Sequence, residues 1–341
     1  MLRLPAELLK HFPHPLRLRW QKRVLHFKHP AATSRGALTT RTTFIIQAET
    51  SLGSGFGECC TMPGLLPEPQ EAELQHWCRE TERQGGMPDG DIPSPVRFGL
   101  ECALLAALSP GQARWNTAFS RGDAGIPIHH LIWMESAEKM LEAMRDGINR
   151  GFRCLKMKVG ALPFEQELEL LREAHAAFPH AEIRVDANGA FAVEDALPRL
   201  EQLARAGSSS IEQPIRPGQW AAMAEICRQS PLPIALDEEL IACKHAAELL
   251  DSIHPHAVVI KPSLHGGLMA AEHWASLAEE RNINWWVNSA LESHVGLTAL
   301  AEWCAYAAPG RMQGLGTSCL FADDAPGDVY LQGKCLKMRR N

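Results

Sequence analysis

Apolar and polar positions follow two different rhythms along this chain. Up to about residue 118, segments 16–27 and 39–48 alternate apolar and polar positions and are rich in β-branched side chains. That pattern predicts antiparallel strands with one buried face. Residues 30–36 between them, from Pro30 to Gly36, read as a loop. Segments 69–83 and 95–108 repeat their apolar residues at helical spacing, with Phe98, Cys102 and Leu105 on one face. From about residue 126 the rhythm changes. Apolar, β-rich runs are centred near residues 128, 156, 184, 210, 235, 259, 286 and 314, with helical patterns such as 163–178 and 193–206 between them. A step of 24 to 28 residues is about one strand, one helix and two loops. The order predicts an α/β fold: an α+β domain over 1–118, a (β/α)-barrel over 119–318, and a tail, 319–341, that returns to the first domain. The last unit has no convincing helix. An open doubly wound sheet has the same repeat, but eight evenly spaced parallel strands close more readily than they stay open.

Gly53-x-Gly55-x-Gly57 resembles a phosphate loop only in its glycines. It runs into Glu58, Cys59 and Cys60 rather than opening a helix, so a turn is the better reading.

The chemistry stands at the strand ends. Asp186, Glu212 and Asp237 each close a short apolar run, 26 and 25 residues apart, with Lys158 one unit earlier and Lys261 one unit later. Barrel active sites lie at the C-terminal ends of strands, so all five converge on one mouth. Counted around the ring, the lysine strands are second and sixth, opposite one another, and the acids lie on the three strands between. A single strand-end acid is equally well a salt-bridged residue. Three at matched positions, flanked by lysines, fit a metal better, because buried charges must be paired or hold an ion. Three hard oxygen ligands without Cys or His favour Mg²⁺ over Zn²⁺. The set suits proton abstraction beside a carboxylate, with the metal stabilising an enediolate and a neutral lysine taking the proton. Lys156 shares a strand face with Lys158, and its charge is expected to disfavour charge on Lys158.

Composition narrows the partners. Lys and Arg number 34 against 40 Asp and Glu, a net charge of −6 without long runs of either sign. That argues against nucleic acid or an anionic membrane as the main partner; a small-molecule carboxylate is what the strand-end lysines and acids suit. The first ten residues carry charge too early for a signal peptide, and no apolar stretch is long enough to span a bilayer. Ten scattered cysteines without a Cys-x-x-Cys pair read as reduced thiols in a cytoplasmic protein. Histidines such as His129, His254 and His265 have no mutual ligand spacing and read as structural.

Lys156-Met157-Lys158, Asp186-Ala187-Asn188, Glu212-Gln213-Pro214, Asp237-Glu238 and Lys261-Pro262 with Gly266-Gly267 resemble the enolase superfamily, in its muconate-lactonizing subgroup. Within it, Thr33-Ser34-Arg35-Gly36, Gly57-Glu58-Cys59, Ser289 to Ser293 and Gly314-Leu315-Gly316-Thr317 are similar to segments of the o-succinylbenzoate synthase family. The resemblance covers nearly the whole chain. It implies a modified TIM barrel capped by the first domain and the tail, Mg²⁺ on Asp186, Glu212 and Asp237, Lys158 handling the proton, and Lys261 facing it. The implied reaction is dehydration of a cyclohexadiene carboxylate in menaquinone biosynthesis. Lys156, Arg184, Asn188, Ser289, Ser293, Gly316 and Thr317 are expected to touch substrate or support the site, and the Gly314–Gly316 amides to suit a carboxylate or form a plain tight turn. Arg35 and the Pro63-Gly64-Leu65 loop are expected to close over the mouth. A racemase of N-acylamino acids or a dipeptide epimerase of the same superfamily is the alternative. Thr317-Ser318-Cys319 stands where dipeptide epimerases carry Asp-x-Asp, which disfavours the latter. A non-catalytic barrel is disfavoured because all five strand-end residues are present. His294 departs from the Asn usual after Glu-Ser and is expected beside the pocket.

Overall fold

The computed structural model describes residues 9–13, 15–33, 36–60, 62–160, 162–325 and 327–339. Its first sheet is an antiparallel meander of β1 (Arg17–Thr33), β2 (Gly36–Thr50) and β3 (Gly53–Cys60). The loop expected at 30–36 is instead the far end of the β1–β2 hairpin, where Thr33 pairs with Gly36. A register shift between His26 and Ala31 takes up Pro30, which cannot donate to a ladder.

The turn expected at Gly53–Gly57 is also a strand. Helix α1 (Glu71–Gln84) follows, and then α2 (Ser94–Leu108) lies directly on β3. A Cβ on Gly55 would lie 2.2 Å from Ala107 N, and one on Gly57 would lie 2.0 Å from Gly99 O. The glycines therefore serve close backbone approach and no turn. Phe98, Leu100, Cys102 and Leu104 are fully buried, because α2 meets the sheet on one side and barrel helices on the other.

Seven parallel strands form the barrel sheet, in the order β11-β10-β9-β8-β7-β6-β5. They are β5 (His130–Ile132), β6 (Cys154–Lys158), β7 (Glu182–Asp186), β8 (Ser210–Glu212), β9 (Ile234–Leu236), β10 (Ala257–Ile260) and β11 (Asn284–Val287). Helices α3 (Ala137–Asn149), α4 (Phe164–Ala177), α5 (Val193–Arg205), α6 (Trp220–Gln229), α7 (Ala246–Ile253), α8 (Gly267–Glu280) and α9 (His294–Ala307) alternate with them. The eighth strand position is reduced to isolated bridges, Ile128 with Gln313 and Asn288 with Gly314, which complete the ring. Inside it, Ala235, Ala257 and Val259 pack with Trp286, and the Arg184 guanidinium lies 4.9 Å from the Trp286 ring centroid. Trp285 points the other way, to Trp303 of α9. This is a (β/α)-barrel with an α+β capping domain.

After the barrel, Phe321 bridges to Phe27 of β1, and Lys28 N donates to Leu320 O at 2.9 Å. The chain then forms β12 (Val329–Gln332) and β13 (Cys335–Met338), and β13 pairs with β4 (Gly125–Pro127) just before the first barrel strand. Two buried carboxylates of the first domain also close barrel helices. Glu101 accepts from Leu268 N (2.5 Å) and Met269 N (3.3 Å) at the start of α8. Glu58 accepts from Ser293 N (3.0 Å), Ser293 Oγ (2.6 Å) and Gly296 N (2.9 Å) at the start of α9. The first N–H groups of a helix have no partner within it, and the dipole there favours negative charge.

Candidate active site

Strand register decides which side chains meet. Lys158 is opposite Asp186, Asp186 opposite Glu212, and Glu212 opposite Ala235. Side chains on a strand alternate, so Lys156, Lys158, Asp186 and Glu212 all point into the ring. Asp237 follows β9 two residues beyond Ala235, and Lys261 follows β10 directly. The carboxylates and lysines interlock. Lys156 Nζ lies 2.9 Å from Asp186 Oδ2 and 2.6 Å from Glu212 Oε1. Lys158 Nζ lies 3.2 Å from Asp186 Oδ2 and donates to Asn188 Oδ1 at 2.6 Å. Lys261 Nζ reaches Asp237 Oδ2 at 2.5 Å.

Burial opposes every one of these charges, and partners decide the outcome. Burial alone raises the Asp186 carboxyl, but Lys156 and then Lys158 hold it well below the usual carboxylate range. Glu212 goes the other way, pushed up by burial and next by the Asp186 charge. Burial lowers Lys156 and Lys261 as well, yet the acids beside them outweigh it and keep both ammonium groups charged.

A cavity of about 310 Å³ opens above this cluster. Lys156, Lys158, Asp186, Asn188, Lys261, Ser289, Gly316 and Thr317 all line it. Glu212 and Asp237 lie beneath, buried against the lysines. Arg184 sits lower in the ring, paired with Glu182 at 2.8 Å and stacked on Trp286, away from the cavity wall. Ser293 is turned from the cavity and caps α9 against Glu58. The amide of Gly314 is taken by Val287 O at 2.7 Å and does not face a ligand. His294 does not line the cavity: its Nδ1 meets Asp324 Oδ1 of the tail at 2.6 Å at the start of α9. His265 Nδ1 accepts from Lys261 N at 3.1 Å, and burial pulls its pKa down to about 3. Arg35 lies outside the described residues. Pro63, Gly64 and Leu65, with Leu38 and Met62, form the roof that the first domain lays over the cavity.

Several lining residues escaped the reading of motifs. Leu131 of the first barrel strand and its flanking residues His129 and Trp133 are among them, while Glu238, quoted only as part of a motif, accepts from Asn188 Nδ2 at 3.1 Å. Alternation about β5 is the signal that finds His129 and Leu131, since Leu131 is opposite the inward Lys156. Arg41 of β2 is buried and donates to Ala290 O and to Leu291 O (2.6 Å), holding the lining loop from the side of the first domain. An Arg inside an apolar alternation was its signal. Beneath that loop Glu292 accepts from Ser263 and Ser289, each at 2.6 Å, and Thr317 donates to Ser289 Oγ at 2.9 Å.

The donor set fits a hard divalent cation. Three carboxylates stand at neighbouring strand ends without Cys or His among them, and Asp237 Oδ1 is buried with no hydrogen-bond partner among the described residues. Among the described residues no three ligand-type side chains already close on a common point, and the cation between Asp186 and Glu212 is the Lys156 ammonium.

The family model for enolase C-terminal domain-like proteins matches residues 139–329. An o-succinylbenzoate synthase from Desulfotalea psychrophila is 39% identical, over 94% of this chain and 98% of that protein. The crystal structure of MenC from the same bacterium has a TM-score of 0.81 at 35% identity, covering 95% of this chain and 100% of that one. The L-Ala-D/L-Glu epimerase from Bacillus subtilis has a TM-score of 0.83 at 19% identity, over 94% of this chain and 95% of that one, and shares the fold. Identity at the level of the Desulfotalea protein, over nearly all of both chains, goes beyond a shared architecture, and the chain belongs to the enolase superfamily, within its o-succinylbenzoate synthase family.

Proposed function

We propose that the protein is a Mg²⁺-dependent lyase that dehydrates 2-succinyl-6-hydroxy-2,4-cyclohexadiene-1-carboxylate to o-succinylbenzoate, a step of menaquinone biosynthesis. The observation that carries this reading is that Lys158 and Lys261 reach one cavity from opposite strands, with three carboxylates on the strands between. Asp186, Glu212 and Asp237 would hold the ion, and bound Mg²⁺ supplies a Lewis acid for the substrate carboxylate. Lys158, as the free amine, takes the proton from the ring carbon beside that carboxylate. Asn188 fixes its Nζ for the transfer. Lys261 keeps its ammonium charge beside Asp237 and faces the negative charge left on the substrate. The electron pair then forms the new ring double bond as the β-hydroxyl leaves. Lys158 returns its proton to that hydroxyl, so water departs and the ring becomes aromatic. The roof from the first domain keeps bulk water off the cavity. We place this chemistry in the cytosol, where the ten unpaired cysteines stay reduced; among the described residues no helix is long and apolar enough to cross a membrane.

The test is an assay of the purified protein with the cyclohexadiene substrate. Turnover is expected with Mg²⁺, to vanish with chelator, and to fall by about 10³-fold or more in Lys158→Ala at every pH while the product still binds. Unchanged turnover in chelator, or racemisation of N-succinylamino acids without dehydration, would overturn the reading.

A further inference from the structure

Three strand ends around the cavity are tied to one carboxylate that does not line it. Glu292 is buried and accepts from Ser263 Oγ and from Ser289 Oγ, each at 2.6 Å. Ser289 Oγ in turn accepts from Thr317 Oγ1 and from Leu291 N, each at 2.9 Å. Ser263 belongs to the turn after β10, Ser289 follows β11, and Thr317 comes just after the residues that close the ring. Burial raises the Glu292 carboxyl, against the Arg41 charge and the two serine hydroxyls. A charged carboxylate only accepts, so the hydrogens of Ser263 and Ser289 are aimed at Glu292 and that of Thr317 at Ser289. Hydrogen bonds to an ionised acceptor are the strong ones.

Two features connect this network to the chemistry. The first is the turn that carries Lys261. Leu264 N and His265 N both donate to Lys261 O, at 2.8 and 3.0 Å, and Gly267 N donates to Pro262 O at 2.8 Å. These bonds are internal to the turn, whereas the fully buried Ser263, two residues from Lys261, anchors it to the next strand end through Glu292. The second is Leu291, which lines the cavity with φ +64°, a left-handed backbone that is rare for a bulky residue. Such a backbone persists only where its surroundings over-determine it. Here Ser289 Oγ takes the Leu291 N–H and Arg41 takes its carbonyl at 2.6 Å.

We propose that Glu292 is a positioning residue for the dehydration: through Ser263 it fixes the turn that aims Lys261, and through Ser289 and Thr317 it fixes the cavity wall beside that lysine. The proposal rests on the reaction assigned above. A network that only holds the fold together is the competing account.

Steady-state kinetics with the cyclohexadiene substrate in saturating Mg²⁺, well below the Tm of each protein, decides between them. The variants are Glu292→Gln, Ser263→Ala and the two combined. Gln keeps the shape of Glu292, but its nitrogen cannot accept from a serine as the second carboxylate oxygen does. Each single variant is expected to lose about 10- to 100-fold in kcat, the scale of a small misplacement of a reacting group, with KM within about threefold. The double variant should lose no more than Glu292→Gln alone, because both changes break the same tie. A fold-holding network lowers Tm and leaves kcat as it was. An unchanged kcat in the single variants, or losses that multiply in the double variant, overturn the positioning role and leave the dehydration reading standing. Should Glu292→Gln fail to fold, the kcat of Ser263→Ala, which removes one hydroxyl, decides alone. Absence of turnover in the parent overturns the dehydration reading itself.

Discussion

Lys156 Nζ is buried between Asp186 and Glu212, at 2.9 and 2.6 Å. Strand alternation alone sets Lys156 beside Lys158 and suggests repulsion between them. The tertiary contacts give Lys156 a different part: its charge is compensated by two carboxylates, and it serves them as counter-ion. Breaking a buried pair from one side leaves uncompensated charge and costs about 3–5 kcal/mol. Lys156→Met should therefore lower Tm sharply in chelator. An ion that binds only the folded protein offsets part of that loss, so the fall in Tm should be smaller in excess Mg²⁺. Differential scanning calorimetry of parent and variant in both buffers checks this; equal falls would mean that Asp186 and Glu212 hold no metal. The acids themselves were legible because each ends an apolar run at a repeated interval. The partners of Lys156 were not, since they lie 30 and 56 positions away and meet it only through strand register.

At the scale of elements, α8 begins on a carboxylate that belongs to another domain. Gly267, at φ +88°, leaves room for Glu101, whose carboxylate a Cβ there would strike at 2.4 Å. Burial pushes Glu101 up from 4.5 to about 7, against the opposing pull of the Met269 and Leu268 N–H groups. An acid raised in the folded state stabilises fully below its unfolded value, and that contribution is lost as pH rises through about 7, by up to about 3 kcal/mol. Glu101→Gln carries no such titration. Its Tm relative to the parent should climb between pH 5 and pH 8, and a gap that stays constant would show Glu101 titrating as an ordinary carboxylate. Helix positions were readable because periodicity is local: 163–178 and 193–206 against the observed Phe164–Ala177 and Val193–Arg205. Gly55 and Gly57 misled because their reason is the backbone of α2, some 40 to 50 positions onward.

At the scale of the whole molecule, two adjacent aspartates join three distant segments. Asp323 meets His26 Nδ1 of β1 at 2.7 Å, and Asp324 meets both His294 Nδ1 (2.6 Å) and His294 N (2.7 Å) at the start of α9. Arg23 lies 3.7 Å from Asp324. His294 thus belongs to a clasp between tail, first sheet and barrel, apart from the residues that line the cavity. In His294→Ala, turnover should stay within about twofold of the parent, while amide exchange over 320–330 speeds up as local opening becomes easier. Turnover lost without faster exchange would return His294 to the pocket.

The sequence by itself determined the (β/α) repeat, the strand-end acids and lysines, and the kind of ion they suit, because these depend on alternation, interval and side-chain chemistry along one stretch of chain. Tertiary structure decided what those residues touch. It turned Lys156 into a counter-ion, moved Ser293 and His294 out of the pocket, brought His129 and Asn288 to it, and set Arg41 behind its lining loop. It also reduced the eighth strand to single bridges. The physical reason is the same in each case: a charge or a hydrogen-bonding group takes its role from whatever compensates it after burial, and that partner comes from elsewhere in the chain.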